Sequence, residues 1–148
     1  LSEKDFANLP EFPVETVDFE QVIPVKMPLL EIACDRFKKN PSPKQQREFE
    51  EFCTSKAYWL EDYALFMALK DAFEGDSWNN WKPAIAKRHP EAIQKWQRRL
   101  ADEIFYQKFL QFEFFRQWSH LKHYANERGI QIIGDIPIYV SHDSADVW

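Results

Sequence analysis

The 148 residues are 45% hydrophobic and 29% charged, carry a net charge of −5, and include 13 Phe, 6 Trp and 5 Tyr but only 3 Gly. That is apolar material for one core, and it excludes a disordered or collagen-like chain. Gly75, Gly129 and Gly134 are too few and too scattered for a phosphate-cradling loop, the net acidity argues against a nucleic-acid partner, and no apolar run of about 18 residues is present to span a membrane.

No signal-peptide core opens the chain, and Leu1 in place of Met reads as the start of an excerpt from a longer protein. Residues 1–28 hold Pro10, Pro13, Pro24 and Pro28 without a sustained period, which predicts an extended connector packed through Phe12, Phe19, Val22 and Ile23. Leu29, Leu30, Ile32, Ala33 and Phe37 recur at helical spacing and predict a first helix over 29–39, stopped by Asn40-Pro41. Ser42-Pro43 with Gln45 three residues after the serine has the form of a capping box, so a second helix should run to about Thr54.

A third helix is expected over Lys56–Phe73, with Trp59, Tyr63, Phe66, Met67 and Lys70 along one face and Gly75 as its left-handed C′ residue. Trp78 and Trp81 lie in the loop that follows. Two indoles can stack on a sugar, but no polar cluster accompanies them, so packing against neighbouring helices is the favoured reading. Between Pro90 and Gly129 there is neither Pro nor Gly, and an unbroken helix there would be about 58 Å long at about 1.5 Å per residue. A bend near Leu100–Glu103, or a helix leaving the body, is therefore expected. Around Phe109–Phe115 that helix is apolar on more than one face and should be covered on several sides.

After Gly129 comes Ile130-Gln131-Ile132-Ile133-Gly134-Asp135-Ile136-Pro137-Ile138-Tyr139-Val140. A β-branched run behind a glycine stop predicts a buried parallel strand of an α/β unit. Such a strand needs neighbours on both edges, and the other strand-like pieces, Val22-Ile23 and Val25, are too short and proline-flanked to serve. The strand reads as misassigned or as one member of a sheet whose other strands lie elsewhere in a larger α/β protein.

Functional groups in parallel α/β architectures gather at the carboxyl ends of strands. Asp135 sits inside an apolar strand, where an acid costs several kcal/mol unless paired or opened into a site. It is the candidate functional carboxylate. Asp143 and Asp146 lie in Asp-Ser-Ala-Asp, a turn and cap sequence without Lys or Arg nearby, and read as loop-bracing groups. His120 and His123 with Glu127 have a spacing that permits a metal site, but no second ligand pair appears, so two ordinary helix histidines are expected and no metal is assigned. Cys34 and Cys53 lack CxxC spacing and read as packed, reduced thiols, which places the chain in a reducing, cytoplasmic compartment.

The run from Gly129 through Asp135, Ser141-His142-Asp143 and Asp146 to Trp148 closely resembles the strand-and-loop signature of the 4-α-glucanotransferases, also called amylomaltases or disproportionating enzymes. Upstream, Tyr58-Trp59-Leu60-Glu61-Asp62-Tyr63 through Lys70, Trp78-Asn79-Asn80-Trp81, and Phe109-Leu110-Gln111-Phe112 through Tyr124-Ala125-Asn126-Glu127-Arg128 are similar to that family in the same order. The resemblance implies an α/β fold class: a fragment of a (β/α)8 barrel, mainly helical in this chain, with residues 1–100 a helical insertion beside the barrel and 101–148 a barrel helix, an early strand and the start of its loop. It implies transfer of α-1,4-glucan segments between maltooligosaccharides by a retaining double displacement, without an organic cofactor, in starch, glycogen or maltodextrin metabolism.

By the same resemblance Asp135 matches a clan aspartate at the sugar-binding end of its strand, an acceptor that shapes the substrate site. Val140 stands near the place of a clan histidine, and the role of that histidine is not carried over to His142. The carboxylate nucleophile and the acid/base would lie on later strands, beyond Trp148, so the chain alone should be inactive. Two alternatives of another class are a helical protein-interaction module and a carbohydrate-binding module built on Trp78 and Trp81.

Overall fold

A computed structural model describes residues 1–7 and 9–148. Helices and turns make up the regular structure, and no strand occurs among the described residues. The chain divides into two compact units, 1–47 and 48–148.

The first unit holds a short α1 (Glu3–Phe6) and α2 (Phe19–Lys39). Ser2 and Asp5 form a reciprocal capping box at α1, and Asp5 also accepts both guanidinium nitrogens of Arg36 from the last turn of α2. Those bonds hold the Asp5 carboxyl well below the ordinary carboxylate range. The connector expected over 1–28 is replaced in part by helix. Asp18 caps α2, accepting from the Glu20 and Gln21 N–H groups at 3.0 and 3.3 Å, and the helix then runs through Pro24 and Pro28. A proline inside a helix removes one backbone donor at about 3 kcal/mol. A good cap and the continuing half-buried stripe of Val22, Val25, Leu29 and Leu30 offset that here, which rules that treat Pro as a stop do not register.

The helices expected separately over 43–54 and 56–73 are one 30-residue helix, α3 (Pro43–Ala72). Its start is the expected box: the Ser42 N–H reaches Gln45 Oε1 at 3.1 Å while Ser42 Oγ accepts from the Gln45 N–H at 3.3 Å. The polar Cys-Thr-Ser stretch does not break it: Thr54 and Ser55 turn their hydroxyls back onto the carbonyls of Glu50 and Phe52, an arrangement a helix accommodates. At the other end the Gly75 N–H bonds the Lys70 carbonyl at 2.8 Å and the Glu74 N–H the Asp71 carbonyl at 3.1 Å. That pattern makes Glu74 the C′ residue, at φ 54°, and Gly75 the C″ residue, at φ 82°. The glycine ends the helix one position later than the simple rule places it.

The remaining elements of the second unit are a 3₁₀ turn (Trp78–Asn80), α4 (Pro83–Ala86), α5 (Pro90–Arg99) and α6 (Ala101–Asn126). The long Pro- and Gly-free stretch bends at Leu100, where backbone angles of φ −108° and ψ 31° separate α5 from α6. Leu100 is itself buried, so the bend is pinned by its side chain. The core joins Leu65, Phe66, Ala68 and Leu69 of α3 to Trp81, Ile85, Leu100 and Trp148. Farther along, Phe49, Phe52 and Trp59 of α3 meet Phe105, Phe112 and Phe115 of α6 with ring centroids 5.2 to 5.9 Å apart.

Gly129, at φ 72°, ends α6 with its own N–H on Asn126 and the Ile130 N–H on Ala125, the expected left-handed stop. The strand expected after it is not formed. Residues 130–140 run as coil, with Ile133, Ile136, Ile138 and Tyr139 between 81% and 91% exposed. A parallel strand exists only through its ladder partners, and among the described residues there is none to pair with. Of the stretch Phe109–Phe115, expected to be covered on several sides, Phe109 and Phe112 are buried and Phe115 half-buried, but Phe114 is exposed, as are Trp118, Leu121 and Tyr124 farther along α6.

Trp81 is central to this core and only 4% exposed, touching Phe66, Phe73 and Trp148. Trp81→Ala should lower unfolding stability by about 3–5 kcal/mol in urea melts. A loss below about 1 kcal/mol would mean that the aromatic cluster does not organise this unit.

Candidate functional site

The C-terminal residues after the coil are drawn back onto α3 and the Trp loop by one carboxylate. Asp143 Oδ2 accepts from Lys70 Nζ at 2.7 Å, and Oδ1 accepts from the Trp78 backbone N–H at 3.2 Å. Lys70 spends its two other donors on the carbonyls of Gly75 and Asp76, at 2.6 and 2.9 Å. The ammonium therefore meets three acceptors with its three N–H bonds, the full capacity of a lysine. Its side chain is 18% exposed and that of Asp143 is 34% exposed, so the pair is partly withdrawn from water. The Lys70 bond, followed by the backbone N–H of Trp78, holds the Asp143 carboxyl below its ordinary range against the opposing effect of burial.

Around this ion pair the aromatic groups close the loop. Trp78 Nε1 donates to the His142 carbonyl at 2.7 Å, and its indole stacks on the His142 ring with centroids 5.1 Å apart and an interplanar angle of 25°. Trp148 is buried between Phe66 and Trp81, donates Nε1 to the Ile85 carbonyl at 3.3 Å, and lies under the Arg88 guanidinium at 4.5 Å. Arg88 also bonds Asp62. Beside these residues an open cleft of about 410 Å³ is lined by Tyr58, Trp59, Asp62, Tyr63, Ala145 and Asp146.

The sequence candidates fall into different surroundings. Asp143 braces its loop, as expected, but its cation comes from a helix 73 residues earlier, which the reading of a loop without local Lys or Arg did not supply. Asp146 lies on the cleft wall. Asp135 is exposed in the coil segment and accepts from its neighbour Ile136 N–H at 2.8 Å, so this chain does not bring it together with Asp143 or Asp146 through any bond described. Of the two tryptophans considered as a sugar platform, Trp81 is core and Trp78 serves the loop. His123 bonds Glu127 at 3.0 Å on one exposed helix face, and no group of three or more His, Cys, Asp or Glu among the described residues is placed to hold a metal ion. Cys34 and Cys53 are both thiols, and burial pushes the Cys53 thiol up, away from reactivity.

Comparisons with known proteins agree along the whole chain. The glycoside hydrolase 77 model, described as 4-alpha-glucanotransferase, matches residues 1–148. A 4-alpha-glucanotransferase of Synechocystis is 50% identical over 94% of this chain and 28% of its own length. One from Thermus thermophilus is 44% identical over 100% of this chain and 30% of its own. The solved amylomaltase of Streptococcus agalactiae in complex with acarbose superposes with a TM-score of 0.91 at 37% identity, over 100% of this chain and 30% of that one. The chain thus spans about 30% of the length of these relatives.

Because the folded Asp143 has a lowered pKa, its ion pair stabilises the loop above the unfolded carboxylate value and ceases to do so as pH falls through and below about 4. Acid titration followed by tryptophan fluorescence should show the Trp78 and Trp148 environment opening in that range. The same titration of Asp143→Asn should lack that component; an unchanged acid transition in the variant would contradict the assignment.

Proposed function

Because this chain belongs to the 4-alpha-glucanotransferase family, glycoside hydrolase family 77, we propose that the protein containing it transfers α-1,4-glucan segments between maltooligosaccharides. The observation that carries this reading is likeness over the full chain, in sequence and in fold, to enzymes of one named activity. In the proposed reaction an enzyme carboxylate attacks the anomeric carbon while a carboxylic acid protonates the departing oxygen. The glycosyl group is then passed to the 4-hydroxyl of an acceptor sugar, whose proton returns to the acid/base. A retaining site of this kind needs its two carboxyl groups about 5–5.5 Å apart. On this reading both belong to parts of the relatives that the chain does not span, and no catalytic residue is assigned here. Asp135 is the substrate-binding residue, accepting hydrogen bonds from sugar hydroxyls; its exposure in this chain fits a group that must meet ligand and neighbours supplied from outside.

The same reading gives the uncovered surfaces a purpose. Residues 1–100 form a helical insertion, and 101–148 a barrel helix, strand and loop; the bend at Leu100 falls where that division would lie. Exposed Ile133, Ile136, Ile138 and Tyr139, with Phe114, Trp118, Leu121 and Tyr124 of α6, are the kind of apolar patch that marks an interface. Pairing of 130–140 with neighbouring barrel strands would cover it. Among the described residues no helix is long and apolar enough to cross a membrane. Two cysteines kept as thiols favour a reducing, cytoplasmic setting, and the net charge of −5 favours a neutral glucan over nucleic acid as partner. The substrate needs no organic cofactor for this transfer.

In the full-length enzyme Asp135→Ala should lower transfer from maltotriose by about 10- to 100-fold, the worth of hydrogen bonds to a charged group, with little change in thermal midpoint. Product chromatography reads the loss, and wild-type rates in the variant would remove Asp135 from the site. The isolated 148 residues should yield no transfer products at all.

A further inference from the structure

We propose that Lys70 and Asp143, with Trp78, are positioning residues of the transfer reaction: a clasp that fixes the loop after Asp135 against the end of α3 and thereby sets where Asp135 stands. The proposal rests on the glucan-transfer reading and on Asp135 binding substrate.

The geometry is that of a clasp because every member is used twice. Lys70 holds the outgoing turn of its own helix through Gly75 and Asp76 and, with its remaining donor, the incoming Asp143. Asp143 spends one oxygen on that ammonium and the other on the Trp78 N–H, and Trp78 returns a bond from its indole to the His142 carbonyl while stacking on the His142 ring. The loop 142–148 is thus tied at 142–143 and again at Trp148, which is buried. At the other end of the segment the Gly129 stop fixes where the chain leaves α6. Asp135 lies between two pinned points; on the proposed reading neighbouring strands align the run that carries it, and the clasp holds the loop that leaves that run. A run aligned by its neighbours can still slide or tilt along its length, and a fixed end limits both. A lysine on an otherwise aromatic helix face is not needed for packing. Its three acceptors give it a task at the helix end and in the distant loop.

The test is a double-mutant cycle on the full-length enzyme, reading kcat and KM for maltotriose, with circular dichroism and the thermal midpoint confirming folding. Lys70→Met and Asp143→Asn should each lower kcat/KM by about 10- to 100-fold, as a small misplacement far from the chemistry can do. Their combination should lose no more than either alone to within about 2-fold, and each should cost less than about 3-fold when introduced beside Asp135→Asn. Asp143→Asn keeps the carboxylate's shape and an acceptor for Trp78, so it carries the cycle if Lys70→Met does not fold. Equal losses in the presence and absence of Asp135→Asn would show a role that does not pass through Asp135 and would overturn the proposal, as would folded clasp variants of wild-type kcat/KM. If Asp135→Asn impairs transfer and the clasp variants do not, only the clasp fails. If Asp135→Asn itself is fully active, the substrate-binding reading of Asp135 fails first and the clasp with it.

Discussion

The Lys70 ammonium is the interaction on which the functional end of the chain depends. A partly buried cation with three donors must find three acceptors or lose the hydration it gave up. Lys70 finds two in the Gly75 and Asp76 carbonyls of the turn that follows α3 and the third in Asp143. The same group therefore holds the turn after a helix and recruits a distant loop. With the loop held, Trp148 reaches the Phe66–Trp81 pair and completes the core, so polar satisfaction at the helix end and hydrophobic burial beside it act together.

Much of this architecture is readable from local chemistry. The Ser42–Gln45 box, the bend at Leu100 and the Gly129 stop follow from rules that involve a few adjacent residues, and the structure has each of them. The departures occur where a local rule competes with a neighbour's strength. Pro24 and Pro28 read as breaks, but a helix already capped by Asp18 and carrying a half-buried stripe continues through them. Thr54 and Ser55 read as a boundary, but hydroxyls bonded back to their own helix leave it intact.

The site divides in the same way. That Asp143 braces a loop is legible in its turn sequence; that it does so through Lys70 is not, because an ion pair between residues 70 and 143 leaves no periodic trace. A single signal existed. Lys70 falls on the face that carries Trp59, Tyr63, Phe66 and Met67, and a cation among aromatics must be answered by an anion or by carbonyls. Asp135 stands out in the sequence for the converse reason, as an acid inside a β-branched run, and its place in a site remains a proposal. What the sequence could not provide was the strand itself, since β structure is a property of pairs of segments and residues 130–140 have no second member among the described residues.

These facts separate the second unit into a part that satisfies itself and a part that does not. From Leu60 to Leu100 the chain supplies most of the core, with Lys70 saturated by three acceptors, Trp81 buried and Trp78 bonded to the loop. From Phe114 onward the outer face of α6 and the whole of 130–140 present large apolar side chains to solvent. Apolar exposure on that scale is unfavourable for an isolated domain and ordinary for a surface that packs against more of the same protein. The clasp lies on the boundary between the two: its lysine belongs to the self-sufficient helix and its aspartate to the loop that follows the open segment. That location lets a single ion pair hold the loop at the end of the open segment, eight residues after Asp135.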